Sequence, residues 1–272
     1  PVGLNSLLGN LMGAANSALI PQKLVEGGIE RGDAIAQFGV VCGMTLPMLA
    51  LPTVFMGAIN LVLVPHLARS HALGRPDEIR RLASQAIGNA SRMILPSMAL
   101  MAVLGPDLGQ LLFGQEQVGT YLFPLAVTMA LSCYCSVLSC ILNGVGQQPA
   151  VAAVSLLGSG IQLLFTFILI PLPGVGMAGY VAGAALSTGM EALLCLYLVV
   201  RRTGLRLCLF RWLTAPGLAS LLAALTSNLL LRYLKDGGLD ALPALAAALA
   251  FALVLYLAAL SAQGVPLGRG RR

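Results

Sequence analysis

The chain has 272 residues, of which 58% are hydrophobic and 10% charged, with a mean hydropathy of +0.88 and a formal net charge of +6. That balance excludes a soluble domain of ordinary composition and points to an all-α polytopic membrane protein. The cations sit in short loops between apolar runs, so topology accounts for them and no nucleic-acid partner is expected.

Apolar runs of helix length fall at residues 3–22, 38–66, 85–105, 118–143, 149–171, 177–200, 212–232 and 241–262, which predicts about eight transmembrane helices. Counting Lys and Arg on alternate sides tests the topology. Arg69, Arg75, Arg80, Arg81, Arg92, Arg201, Arg202, Arg206, Arg211, Arg269, Arg271 and Arg272 fall on one side, and only Lys23, Arg31, Arg232 and Lys235 on the other. The positive-inside rule then places both ends of this chain in the cytoplasm. No connection is long enough for a separate extramembrane domain. The first run carries Asn5, Asn10 and Asn16, which does not suit the apolar core of a signal peptide, and the chain is expected to be a piece of a longer one.

Along the first run, Asn5, Gly9, Met12, Gly13 and Asn16 fall within about 100° of one another on a helical wheel. Two readings fit that face. Gly9 and Gly13 form a GxxxG pair suited to close helix packing, with the asparagines bonding across it; equally, the stripe lines a water-filled cavity. The segment from Lys23 to Gln37 reads as a solvated outer loop. The second span combines Gly39, Gly43, Pro47, Pro52 and Gly57 in a stretch without charge. Each proline frees a carbonyl that a neighbour must satisfy, so the span is expected to be kinked inside a bundle, with Gly43 at a packing contact and Pro47 and Pro52 as a conformational hinge. Residues 77–90 read as an amphipathic lead-in helix on the inner surface before the third span. Within that span, Arg92 either snorkels to the headgroups or pairs with a buried acid.

That acid is Glu191. In the sixth span Tyr180, Ala184, Ser187 and Glu191 share one side at helical spacing, and Glu191 sits near mid-depth. An ionisable group there costs several kcal/mol unless it is paired, hydrated or protonated, so it marks a cavity or a structural pair. Asn60, Asn143 and Gln162 are weaker candidates, each readily satisfied by a neighbouring helix. The six cysteines lack the spacing of a zinc site or redox pair and read as small buried hydrophobes. There is no phosphate-binding glycine loop, HExxH or GxSxG, and the two histidines, His66 and His71, share one loop. The chain is therefore not expected to be an enzyme, and no cofactor or metal is expected.

Five stretches carry a family resemblance: NSLLGNLMGAANSALIPQKL (Asn5 to Leu24), GMTLPMLALPTVFMGAINLVLVPHLA (Gly43 to Ala68), LLFG (Leu111 to Gly114), LNGVGQQ (Leu142 to Gln148) and LIPLPGVGMAG (Leu169 to Gly179). Together they resemble the second half of the sporulation-type polysaccharide biosynthesis (oligosaccharide flippase) family, within the multidrug/oligosaccharidyl-lipid/polysaccharide exporter superfamily. The resemblance implies a two-lobe exporter of fourteen helices in a bacterial plasma membrane. Residues 1–202 would form the second six-helix lobe, and residues 203–272 two additional transmembrane helices with a basic cytoplasmic tail. It implies alternating-access export of an undecaprenyl-pyrophosphate-linked glycan used in the cell wall, such as a peptidoglycan precursor. Asn5, Asn16, Arg92, Tyr180, Ser187 and Glu191 would face the substrate. The cationic cavity residues that relatives apply to the pyrophosphate belong to the first lobe, so a missing amino-terminal lobe or partner chain is implied, alongside membrane lipids. Two other readings remain open: a multidrug and toxic-compound extrusion antiporter with Glu191 as the coupling carboxylate, and a non-transporting scaffold for cell-wall synthesis.

Overall fold

The computed structural model describes residues 2–114, 117–205 and 210–262, and within them all side chains except those of residues 2–8, 51, 52, 55, 117, 210, 211 and 262. The described residues are helical with no strand. In chain order the helices are α1 (Val2–Glu26), α2 (Arg31–Phe38), α3 (Leu46–Ala72), α4 (Pro76–Phe113), α5 (Gln117–Gly144), α6 (Gln148–Leu169), α7 (Gly176–Thr203), α8 (Ala215–Asp236) and α9 (Ala241–Ala262).

Among the described residues, seven segments are long and apolar enough to cross a membrane: Arg31–Ala50, Pro76–Phe113, Val118–Gly144, Gln148–Leu169, Gly176–Thr203, Trp212–Asp236 and Ala241–Ser261. The chain is thus an all-helical, multi-pass membrane protein. α1 is long enough but is not among the seven, because Asn5, Asn10, Asn16 and Gln22 dilute its hydropathy.

Two expectations about local structure are corrected. The outer loop expected from Lys23 to Gln37 is largely helical: α1 continues to Glu26 and α2 begins at Arg31, leaving residues 27–30 as the turn. Lys23 there pairs with Glu26 (2.5 Å) and lies 4.9 Å above the Phe167 ring, which holds the last turn of α1 in place. The lead-in helix at 77–90 is not separate from the third span, since α4 runs unbroken for 38 residues. Its early turns bury Ile79, Ala83, Ala86, Ile87 and Ala90 at helical spacing, so the amphipathic face packs on protein.

α2 and α3 are joined without a break by a π-helical stretch, Gly39–Thr45, with Pro47 two residues beyond it; a second, Phe210–Thr214, precedes Pro216 at the start of α8 in the same way. Proline has no N–H to give and its ring crowds the carbonyl four residues back, and a widened turn relieves both. Thr45 closes the first stretch, its hydroxyl donating to the Val40 carbonyl at 2.9 Å.

By packing, the chain divides into two units. The first takes residues 1–90 and 124–207, the second residues 91–123 and 208–272. In the first, α6 and α7 approach closely at Gly179 and Gly183, where an added Cβ would press on Leu169 and on Phe165 (2.9 and 2.6 Å to their Cβ atoms). α3 and α5 meet where Gly144 sits on Leu67, and Asn60 Nδ2 donates to Ser136 Oγ at 2.8 Å. In the second, α8 and α9 share a seam of Ala219, Ala223, Tyr256 and Leu260, and Ser227 Oγ donates to the Ala248 carbonyl at 2.6 Å. Tyr256 donates its hydroxyl to the Arg92 carbonyl at 2.8 Å, and Lys235 pairs with Asp107 at 2.5 Å. The alanines of α9 therefore serve helix contact, while Leu242, Leu253 and Val254 face outward as lipid-facing residues do.

Candidate functional site

Three helices of the first unit, α1, α6 and α7, line an open cavity of about 260 Å³. α1 contributes Gly9, Met12, Gly13 and Asn16; α6 contributes Gly158, Ser159, Gln162 and Leu163; α7 contributes Tyr180, Ala184, Ser187, Thr188 and Glu191. Each set follows from helical spacing, since residues three and four apart share a face. The lining combines amide, hydroxyl and carboxyl groups with Met12, Leu163 and Ala184.

Its walls are tied by side-chain hydrogen bonds. Ser187 Oγ donates to Gln162 Oε1 at 2.9 Å, and Gln162 Nε2 reaches the Tyr180 carbonyl at 3.5 Å, which links α7 to α6 twice. Thr166 Oγ1 lies 2.7 Å from Asn16 Oδ1 and 3.0 Å from the Gln162 carbonyl, so its single proton serves one of the two at a time. The Asn16 contact links α6 to α1.

Glu191 occupies the α6 side of the cavity over Gly158. A Cβ on Gly158 would fall on the Glu191 carboxyl, overlapping Cγ, Cδ and Oε1, so only glycine leaves room for the acid in this position. No cationic side chain lines the cavity, and Glu191 makes no hydrogen bond or ion pair among the described residues. Such an arrangement presents amide, hydroxyl and carboxylate groups to a polar guest, and the one carboxylate suits a proton or cation that balances it.

Of the residues singled out in the sequence, the structure gathers Asn16, Tyr180, Ser187 and Glu191 here. Asn5 lies on the same helix, and its side chain is outside the described residues, as is that of Pro52. Arg92 is not brought here: it belongs to the second unit, where its carbonyl accepts from Tyr256. The close helix contact expected at Gly9, Gly13 and Gly43 is not what the structure has, because a Cβ at any of the three would meet nothing within 4 Å. Gly9 and Gly13 line the cavity, the other of the two readings of that face, and Gly179 and Gly183 form a tight GxxxG pair. Gly158, Thr166 and the linking role of Gln162 escaped the sequence reading. A glycine's partner depends on the register between helices, and only the GxxxG spacing of 179 and 183 offered a signal.

The five described cysteines are free thiols, four of them buried and Cys42 half-buried. No group of three His, Cys, Asp or Glu side chains capable of holding a metal occurs among the described residues.

One distant relative is stage V sporulation protein B of Bacillus subtilis (strain 168). The two are 22% identical over 194 residues, a stretch covering 70% of this chain and 36% of that protein. The chain thus spans about a third of the relative's length. No family model matches the chain, and no solved structure matches it.

Proposed function

We propose that the chain is the second half of a flippase that moves a lipid-linked oligosaccharide or cell-wall precursor across a bacterial plasma membrane, with the α1–α6–α7 cavity as part of the path. The observation that carries the reading is a cavity with polar lining between α1 and the membrane-competent α6 and α7, in a chain distantly similar to a sporulation protein of about three times the matched length. The substrate class is the undecaprenyl-pyrophosphate-linked glycan, and the step is movement without covalent change.

The lining refines what this half would hold. Asn16, Gln162, Ser187, Tyr180 and Glu191 are donors and acceptors of the kind that sugar hydroxyls need, whereas a pyrophosphate needs cations, and none lines the cavity. In this reading the cavity meets the glycan, and the cations for the pyrophosphate come from an amino-terminal lobe or a partner chain. In this reading α1 crosses the membrane beside the seven membrane-competent segments, which puts both chain ends in the cytoplasm, and the two halves rock about the shared cavity.

A second reading is favoured by one feature, the unpartnered carboxylate of Glu191. In an ion-coupled drug antiporter that group would exchange a proton or sodium against drug. Glu191→Gln in the complete polypeptide separates the two. A flippase loses transbilayer movement of a labelled glycan lipid in proteoliposomes with drug resistance untouched; an antiporter loses ion-coupled drug efflux instead.

A further inference from the structure

A second cavity of the first unit, about 380 Å³, lies at one end of the spans, where α3, α5 and α7 finish and α4 and α6 start. It is independent of the α1–α6–α7 cavity and shares no residue with it. Its size falls within the ~300–1,000 Å³ usual for small-molecule sites. Three of its lining residues, His71, Arg75 and Arg202, are basic, and none is acidic. Glu78 stands outside the lining, 3.5 Å from Arg75 Nη1, and that arginine remains largely exposed, with donors to spare.

The fold builds this place from two short turns. Gly74 and Gly146 adopt left-handed backbone (φ +63° and +75°), which reverses the chain after α3 and after α5 within three residues. The reversal is locked by Arg75 N donating to the Ser70 carbonyl and Gln147 N to the Leu142 carbonyl. Arg80 holds the third wall: its Nε donates to the Thr203 carbonyl at 3.2 Å while its Nη1 pairs with Asp77 at 2.8 Å, so α4 is pinned to the end of α7. Pro76 and Gln147, at the starts of α4 and α6, bring the positive ends of two helix dipoles to the same cavity. Two guanidiniums, an imidazole and an amide around one hollow at the end of the spans form a place for a tetrahedral anion.

We propose that this cavity binds a phosphate group, with Arg75 and Arg202 as its main donors and His71 and Gln147 completing the ring. Two sources carry that chemistry, the headgroup of an anionic phospholipid lying against the turns and a soluble phosphate ester or inorganic phosphate.

The test uses the full chain in detergent and measures binding of short-chain phosphatidylglycerol, short-chain phosphatidylcholine and inorganic phosphate by native mass spectrometry. Phosphatidylglycerol is expected to bind at least ~10-fold more tightly than phosphatidylcholine, and Arg75→Gln with Arg202→Gln to lose that preference by ~10-fold or more. Arg81→Gln removes the same charge from an exposed position outside the cavity and is expected to change binding less than ~2-fold. Displacement of the lipid by inorganic phosphate assigns the site to soluble phosphate; failure to displace it assigns the site to the headgroup. Because the double variant risks misfolding, the unmodified protein supplies a second readout. Phosphatidylglycerol should slow phenylglyoxal labelling of Arg75 and Arg202 relative to Arg81. Equal affinity for both lipids with no binding of inorganic phosphate, an equal loss in Arg81→Gln, or uniform labelling would overturn the proposal.

Discussion

Gly158 and Glu191 act as a pair. Because a methyl group at 158 would occupy the space of the Glu191 carboxyl, Gly158→Ala is expected to lower stability by about 1–3 kcal/mol, read as a fall in Tm of the detergent-solubilised chain. Glu191→Ala removes the colliding atoms, so the double variant should recover most of that loss. A Gly158→Ala protein as stable as the parent, or a double variant that is simply the sum of the singles, would remove the pair from the account. Gly160, where a Cβ meets nothing within 4 Å, is the contrast: Gly160→Ala should be neutral or stabilising by up to ~1 kcal/mol. Half of this was legible in the sequence. The spacing of Tyr180, Ser187 and Glu191 put them on one face of one helix, which the 100° step alone decides. That Gly158 lies beneath the acid depends on how α6 and α7 slide past each other, and no residue within either helix states that register.

The same limit holds for elements. Long charge-free runs located the last six membrane-competent segments, whereas the run at 3–22 is not among the seven and the segment expected at 38–66 is Arg31–Ala50; Pro47 foretold a disturbance there. What form it takes was not legible: a π-helical stretch runs through Gly39–Thr45 just before Pro47, and its widened turn relieves the proline. If that stretch serves as the hinge, Pro47→Ala should let the turn tighten and slow glycan-lipid movement in proteoliposomes while insertion stays normal; an unchanged rate would remove the hinge. Fusion of residues 77–90 with the third span was hidden for another reason, since their amphipathic pattern suits a membrane surface and a protein surface equally. In the second unit, the Ser227 hydroxyl joins α8 to α9 through a buried bond. Ser227→Ala should cost roughly 0.6–1.7 kcal/mol, read in the thermal unfolding of the purified chain, and no change would mean that the alanine seam alone holds the pair.

At the scale of the molecule, composition alone sufficed for a multi-pass helical membrane protein, and the description of seven membrane-competent segments agrees with it. Division into two units was less accessible. By packing, residues 91–123 group with the C-terminal helices, a long-range choice that no local pattern carries. The proposed transport needs more than this chain. A single half should insert and yet fail to move lipid, and intact-mass analysis of the native polypeptide against 28.1 kDa shows whether a first half is attached or a partner has to supply it. The central claim is that the α1–α6–α7 cavity is a wall of the glycan-lipid path. The most direct measurement is the rate at which the complete transporter moves a labelled undecaprenyl-pyrophosphate glycan across proteoliposomes, with Glu191→Gln and Asn16→Ala set beside the parent. Each substitution is expected to slow movement by ~10-fold or more with normal insertion. Movement at the parent rate in both variants would contradict it.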